Sequence, residues 1–168
     1  SMSTLCTAVE RHCELHVLSV NWSKDLIRST LASHLSKLSP SGTVEKELGL
    51  SSSHLHSPDL IFKNGLSTGA LSGPPSTSID KLEIMRALRE QSPGTSVYVG
   101  DSVTDLLALL EADVGIVVGT SATLMKVALA YNVQLRPLVG ALASPSRTKG
   151  VLYTAASWYD ITLALYGA

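Results

Sequence analysis

The sequence lacks several features that mark broad classes of protein. Only two of its 168 residues are cysteine, Cys6 and Cys13, and they do not have the spacing of a zinc or redox motif. The net charge of −1 leaves no basic excess for binding nucleic acid or an anionic membrane. The longest apolar run, around residues 114–118, is far too short to cross a bilayer. We therefore predict two reduced thiols, no nucleic-acid partner and no association with a membrane.

The first residues, Ser-Met-Ser-Thr, also lack the basic and apolar regions of a secretory signal. We therefore expect an intracellular protein, with no compartment indicated. Hydrophobic residues make up 45% of the chain and charged residues 16%, which is enough apolar surface for a buried core. A chain of this length is typical of one domain, so we predict a single domain over residues 1–168.

The second half of the sequence alternates apolar strands with helices. Strands are predicted at 96–99, 114–118 and 133–137, and helices at 103–111 and 122–131. Strands without polar alternation, separated by helices, are typical of a parallel sheet that is covered on both faces. The pattern therefore predicts an α/β fold with a mainly parallel sheet and flanking helices.

The remaining elements are predicted from caps and turns. An apolar strand at 16–20 is followed by Ser23, which can cap a helix, and 36–58 is interpreted as a loop with at most one helical turn. Asn64-Gly65 after residues 60–63 predicts a small β-hairpin. Ser78 can cap a helix that stops near Ser92, and Ser157 with Asp160 has the spacing of a capping box.

Two aspartates follow the strand that ends at Gly100. Asp101 stands at the carboxyl end of this strand, where open α/β sheets bind ligands, and Asp105 lies one helical turn further on. Two carboxylates in this position suit Mg²⁺. Acidic residues also favour the first turn of any helix, and for Asp105 alone the two interpretations are equal. The complete Gly-Asp-x-x-x-Asp pattern favours a functional role.

Two further positions suit an anion. Lys81 lies in the first turn of its helix, where its ammonium group and backbone N–H groups can face a phosphate. Taken alone, a solvated lysine is the better interpretation. Ser19 ends the first strand, and its hydroxyl with the amides of Val20 and Asn21 can bind a phosphoryl oxygen. Serine is common at strand ends, so this pattern is weak by itself.

The histidines carry less information. His54-x-His56 suggests a metal site, but no third ligand lies nearby in the sequence, which favours an exposed loop. His12, His16 and His34 have no sequence neighbour that completes a catalytic triad.

The order hydroxyl, lysine, acidic pair resembles motifs two to four of the haloacid dehalogenase (HAD) phosphohydrolases. The wider match is similar to the HAD half of plant bifunctional proteins, which join a TenA-like thiaminase domain to a thiamin monophosphate phosphatase domain. It runs from about His12 to the C-terminus, and it is weakest between Ser36 and Pro58. The segments that carry it are His16–Ser29, Ser67–Gly69, Ile79–Lys81, Gly100–Leu107, Leu110–Gly119 and Leu152–Trp158.

The resemblance implies a Rossmann-like HAD core and a Mg²⁺-dependent phosphatase that acts on thiamin monophosphate. Ser19 and Lys81 would hold the transferring phosphoryl group, and Asp101 would be a Mg²⁺ ligand. Asp105 would support either the metal or the lysine. An aspartyl-phosphate intermediate, a second aspartate acting as general acid/base, and a TenA-like domain upstream would complete the enzyme.

One departure from the family pattern affects catalysis. The first HAD motif, Asp-x-Asp, should precede Ser19, yet no aspartate occurs before Asp25 and no Asp-x-Asp occurs anywhere in the chain. The nucleophile and the central strand that carries it are therefore missing. We expect a truncated chain that is inactive alone, and that dimerises or accepts a strand from a partner at the exposed edges.

Two other functions fit parts of the same pattern. The first is a non-catalytic relative that keeps the phosphate pocket and serves as a binding or interaction module. The second, a response-regulator receiver, also uses acidic residues, Ser/Thr and Lys at strand ends. Its phosphorylated aspartate should precede the Ser/Thr and Lys, and the order in this sequence excludes it.

Overall fold

The computed structural model describes residues 4–5, 7–8, 11–21, 23–38, 54–139 and 150–167, with only the backbone for 34–38. The chain divides into two compact units, residues 1–77 and 78–168, and each is described by itself. The single domain predicted from the sequence stays a prediction.

The N-terminal unit contains a short parallel strand pair. Strand β1 (Val17–Leu18) pairs with β2 (Leu55–His56), and helix α1 (Lys24–Leu38) lies between them in sequence. The Ser23 hydroxyl accepts the Leu26 amide at 3.1 Å, which confirms the predicted cap. Within the predicted loop, residues 36–38 are helical and continue α1, whereas β2 forms beside β1, so the loop prediction is wrong at Leu55–His56. Residues 39–53 lie outside the described part of the chain. With only two residues, β2 depends on its pairing partner rather than on its own strand propensity.

The predicted β-hairpin is confirmed. Strands β3 (Asp59–Lys63) and β4 (Leu66–Ser72) are antiparallel, with Lys63 paired to Leu66 across the turn. Asn64 and Gly65 have φ angles of 53° and 79°, as a two-residue hairpin turn of type I′ requires. Residues 61–72 are exposed, so the hairpin adds little to a core.

The C-terminal unit contains a four-stranded sheet in which every pairing is parallel. Its strands are β5 (Val97–Gly100), β6 (Val114–Val118), β7 (Gln134–Pro137) and β8 (Val151–Ala155), in the spatial order β5-β6-β8-β7. This confirms an α/β fold with a parallel sheet, compatible with a Rossmann-like arrangement. Strand β8 was not predicted from the sequence, although it lies between two strands that were.

The sheet is flanked by four helices: α2 (Ser78–Gln91), α3 (Leu106–Glu111), α4 (Ala122–Ala130) and α5 (Trp158–Tyr166). The helix predicted from residue 103 begins as a 3₁₀ turn, Val103–Asp105, as is frequent at helix N-termini, and Ser102 and Asp105 form a capping box there. A second capping box, between Ser157 and Asp160, begins α5 as predicted.

The core of this unit lies between the sheet and α5. The side chains of Val114, Ile116, Leu138, Ala155 and Ile161 form one buried cluster. On another side of the sheet, a Cβ at Gly115 would lie 2.2 Å from the Leu109 carbonyl oxygen, so only glycine allows this strand and helix to pack so closely. No helix among the described residues is long and apolar enough to span a membrane.

Candidate functional site

The carboxyl end of β5 is built around a close backbone contact. Gly100 is the last residue of the strand, and a Cβ at this position would lie 2.6 Å from the Cβ of Asp105. Any other residue would have to displace Asp105. The glycine of the Gly-Asp-x-x-x-Asp pattern therefore lets Asp105 fold back against the end of the strand.

Asp105 forms a buried ion pair with the lysine that was singled out in the sequence. Lys81 Nζ donates to Asp105 Oδ1 at 2.6 Å. The two residues are 4% and 5% exposed, so this is not the solvated lysine that the sequence alone favoured. A buried charge without a partner costs several kcal/mol, whereas a hydrogen-bonded pair avoids most of that cost. Lys81 and Asp105 are therefore brought together as one unit.

Tyr98 and Ser102 complete the surroundings of the carboxylate. The Tyr98 hydroxyl donates to Asp105 Oδ1 at 2.9 Å. Ser102 donates to Oδ2 twice, from its hydroxyl at 2.7 Å and from its backbone N–H at 3.1 Å. Both carboxylate oxygens thus have protein donors, and the side chain is fixed in one orientation. Tyr98 was not predicted as a site residue. It lies two positions before Gly100 on β5, and alternate residues of a strand share a face, which is the one feature of the sequence that could have indicated it.

These contacts explain the protonation of the site. Burial by itself raises the pKa of Asp105, but hydrogen bonds from Lys81 and Ser102, the charge of Lys81 and the Tyr98 hydroxyl together hold it below its ordinary value. Burial also raises the pKa of Tyr98, and the neighbouring Asp105 charge raises it further. Asp105 is therefore a carboxylate at neutral pH, and Tyr98 a neutral hydrogen-bond donor.

Asp101 differs from Asp105 in its surroundings. It follows Gly100 directly and is exposed, and its charge acts on Tyr98. An exposed carboxylate suits Mg²⁺, which binds oxygen ligands and retains several waters. Asp105 has both oxygens engaged by protein donors, which fits support of Lys81 better than direct contact with a metal. The role of both residues as Mg²⁺ ligands stays a prediction.

The predicted phosphate-binding residues Ser19, Val20 and Asn21 lie in the N-terminal unit. Ser19 follows β1, its amide donates to the His56 carbonyl, and its hydroxyl accepts the Asn21 amide at 3.1 Å. The Ser57 hydroxyl donates to the Asn21 carbonyl, which ties this turn to the residue after β2. Their predicted role with Lys81 stays a prediction.

A second polar cluster holds the opposite end of α2. Arg89 donates to the Glu111 carbonyl and carboxylate and to Asp113 Oδ1, each at 2.9 Å. Asp113 Oδ2 in turn accepts the Ser96 hydroxyl and amide. Because Ser96 and Asp113 precede β5 and β6, this cluster lies at the amino ends of the strands, away from Lys81. We assign it to the architecture of the unit rather than to ligand binding.

The histidines give a correction. His54 was interpreted as part of an exposed loop without a third metal ligand, but His16 and Glu14 lie beside it. The parallel pairing of β1 and β2 brings them together from 38 positions apart in sequence, because Val17 pairs with Leu55. Burial lowers the pKa of His56, and the nearby His16, Lys24 and His54 lower it further.

The fold and site together define an α/β chain with a parallel sheet and a buried Lys–Asp pair at the carboxyl end of an edge strand. The chain is similar to the bifunctional TH2 protein, mitochondrial, of Arabidopsis thaliana, with 32% identity over 170 residues. The match covers 89% of this chain and 25% of that protein, so the chain spans about a quarter of its relative.

A shorter match is to a different kind of protein. A cadmium, zinc and cobalt-transporting ATPase of Helicobacter pylori is 30% identical over 89 residues, which cover 51% of this chain and 12% of that protein. No protein-family model matches the sequence. The longer match relates most of this chain to a segment of the TH2 protein.

Proposed function

We propose that this chain is the greater part of a HAD-type phosphatase domain that binds a phosphate monoester, with thiamin monophosphate as the substrate. The observation that carries the proposal is the buried Lys81–Asp105 pair at the carboxyl end of β5. Asp101, the first residue after this strand, is exposed. Open α/β sheets bind ligands at this end of their strands. The similarity to the TH2 protein supports the choice of domain.

Lys81 supplies the positive charge for the phosphate in this proposal. An ammonium group has three N–H donors, and Asp105 accepts one of them. The remaining donors can face a phosphate oxygen, with the ammonium position fixed by Asp105 and its other partners. A charged group that is held in place before the ligand arrives needs no ordering on binding. Asp105 is thus a positioning residue for Lys81.

Asp101 is the residue that would hold Mg²⁺. Its exposed carboxylate offers the hard oxygen ligand that this ion prefers, next to the proposed position of the phosphate. Bound Mg²⁺ would neutralise part of the phosphate charge. Because one protein carboxylate is a small share of a Mg²⁺ shell, we expect metal and phosphate to bind this chain together more tightly than either binds alone.

Turnover requires a nucleophile that this sequence does not contain. With no Asp-x-Asp pair in the chain, we expect phosphate binding without release of phosphate from thiamin monophosphate. The same absence favours one alternative, a binding module that never catalyses the reaction. A coding sequence that continues upstream into an Asp-x-Asp strand would support the enzyme, whereas translation that starts at Met2 would support the module.

The binding site is tested by calorimetric titration of the full chain with inorganic phosphate and with thiamin monophosphate, with and without Mg²⁺. Lys81→Met should weaken phosphate binding about 10- to 100-fold, because a charge-assisted hydrogen bond is lost. Lys126→Met makes the same change at an exposed position in α4 and should bind as the original chain does. Asp101→Asn should remove the effect of Mg²⁺.

The outcomes separate the parts of the proposal. Equal phosphate affinity in Lys81→Met and Lys126→Met would overturn the site. Binding of inorganic phosphate without preference for thiamin monophosphate would overturn the substrate and leave the site. Release of phosphate from thiamin monophosphate by the chain itself would contradict the expected inactivity.

A further inference from the structure

Four ionisable side chains meet on one face of the β1–β2 pair. In the parallel register, Val17 pairs with Leu55 and Leu18 with His56, and the Val17 amide donates to the His54 carbonyl at 2.9 Å. Because neighbouring residues of adjacent strands share a face, and alternate residues of one strand do too, His16, His54 and His56 lie together. Glu14 approaches the same face from the residues that precede β1.

The distances among these groups match those of ligands around a small metal ion. Glu14 Oε1 lies 3.1 Å from His16 Nε2 and 3.6 Å from His54 Nε2. One ligand atom from each of the three residues lies within 4.8 Å of those of the other two. Zinc bonds of about 2.0–2.2 Å in a tetrahedron place neighbouring ligand atoms about 3.3–3.6 Å apart. The distance from Glu14 to His54 matches this spacing and that from Glu14 to His16 is slightly shorter, so small side-chain movements would admit the ion.

His56 lies next to His16, on the side of the ring that is away from Glu14. Its Nε2 lies 3.2 Å from His16 Nδ1, the ring nitrogen that does not face Glu14. When Nε2 of a histidine binds a metal, its other ring N–H commonly donates to a second group that fixes the ring orientation. His56 is placed to accept that hydrogen bond, so the arrangement contains a ligand and its supporting residue.

We propose that Glu14, His16 and His54 form a binding site for a divalent transition-metal ion of the zinc class, with His56 as the residue that orients His16. Two imidazole nitrogens and one carboxylate oxygen favour such an ion over Mg²⁺ or Ca²⁺, which prefer oxygen ligands throughout. Three protein ligands leave a fourth position for water. The side chain of Glu14 is 53% exposed and those of His16 and His54 are 15% and 30%, so an ion can enter from solvent.

This site shares no residue with the proposed phosphate site of Lys81, Asp101 and Asp105, although the predicted phosphate-binding residues Ser19–Asn21 lie in the same unit as its ligands. Its ligands all belong to the N-terminal unit, whereas Lys81, Asp101 and Asp105 belong to the C-terminal unit. Zinc binding and phosphate binding are measured separately, so the failure of one leaves the other intact.

The test is a titration of the untagged full chain with Zn²⁺, in buffer that contains excess Mg²⁺ to occupy oxygen-rich sites. We expect one Zn²⁺ per chain. In imidazole-detected ¹H–¹⁵N spectra, the Nε2 resonances of His16 and His54 should shift on addition of Zn²⁺, while the exposed His12 ring should not. This readout uses the unchanged protein, so it does not depend on the folding of a variant.

Variants then assign the ligands. His54→Gln and Glu14→Gln should lower Zn²⁺ affinity by more than tenfold, and His56→Gln should lower it about 10- to 100-fold, as loss of a supporting residue typically does. His12→Asn removes an imidazole while allowing the positive φ of 58° at that residue, and it should bind as the original chain does. Cys13→Ser, which removes an exposed thiol, should also bind normally.

The proposal would be overturned by unchanged spectra of His16 and His54 in the presence of Zn²⁺. It would also be overturned by Zn²⁺ binding that persists in His54→Gln and Glu14→Gln, or that disappears in Cys13→Ser.

Discussion

At the scale of single residues, the Lys81–Asp105 pair shows how a buried charge is made tolerable. Replacing a buried ion pair with apolar residues is often neutral or stabilising, whereas removing one partner costs about 3–5 kcal/mol. The pair is therefore a poor device for stability alone. Its value is that Asp105, held by Tyr98 and Ser102 as well, keeps the ammonium group at one position on the strand end.

The lowered pKa of Asp105 predicts how stability responds to acid. Because the folded-state pKa lies below the ordinary value of 3.8, the charged carboxylate stabilises the fold fully above that value. This contribution is lost as the pH falls through the folded-state pKa. We expect urea unfolding free energies, measured from neutral pH downward, to fall less steeply below 3.8 in Asp105→Asn than in the original chain.

A graded variant sharpens that measurement. Ser102→Ala removes one hydrogen-bond donor to the Asp105 carboxylate, which retains its charge. The loss of stability of this variant in acid should therefore lie between those of the original chain and Asp105→Asn. If Asp105→Asn and the original chain lose stability in parallel below 3.8, Asp105 does not carry this acid dependence.

At the scale of elements, helix α2 is fixed at both of its ends by different chemistry. Lys81, in its first turn, meets Asp105 beyond the carboxyl end of β5, and Arg89, in its last turn, meets Glu111 and Asp113 before β6. The helix therefore lies antiparallel to the two strands. The Arg89 cluster sets the orientation of α2 and so helps to place Lys81 correctly.

The planar guanidinium of Arg89 predicts a test within this one helix. Arg89→Lys retains the charge but loses the fork that bonds Glu111 and Asp113 at once, so we expect a loss of about 1–3 kcal/mol in unfolding free energy. Arg86→Lys is the matched control, because Arg86 is 57% exposed in its side chain and makes a single longer contact of 3.3 Å. Its expected loss is below about 1 kcal/mol.

Chemical denaturation measures the unfolding free energies of both variants. Equal losses from the two substitutions would mean that the fork geometry of Arg89 contributes nothing beyond its charge.

The elements also show what the sequence can reveal. Strand β6 was predicted with its observed bounds, Val114–Val118, because no polar residue interrupts it, and four of its five residues are buried. Strand β2 could not be predicted, since two residues, Leu and His, have no period of their own. Its existence depends on β1, which is a non-local contact that no local pattern records.

The candidate site was likewise predicted only in part from the sequence. The Gly-Asp-x-x-x-Asp pattern located the end of β5, and Lys81 was noticed from its position in a helix. The partnership of Lys81 with Asp105 could be predicted only through resemblance to a family, because 24 positions separate them. The Glu14–His16–His54 cluster was missed for the same reason, since the register of two short strands brings it together.

At the scale of the whole molecule, the C-terminal unit depends on the strand that follows the other three strands of its sheet in sequence. Strand β8 pairs with β6 on one side and β7 on the other, and its Leu152 is 0% exposed. Helix α5 follows it and buries Ile161 against β6. Strand β8 therefore completes the middle of the sheet rather than its edge.

Truncation tests this dependence. A chain that ends at residue 149 lacks β8 and α5, so β7 has no strand partner among the described residues. We expect amide hydrogen exchange at Ile116 and Val117 to become fast and cooperative unfolding of this unit to be lost. A chain that ends at Tyr166 retains both elements and should match the original. Slow exchange in the shorter chain would show that β5 and β6 are stable with α2 and α3 alone.

The spatial order of the strands also constrains how this unit is made on a ribosome. Residues 134–137 leave the exit tunnel before residues 151–155, the strand with which they pair, so their backbone groups cannot yet form these hydrogen bonds. Until residues 151–155 have emerged, the edge of β6 that β8 later covers is open to chaperones and to neighbouring nascent chains.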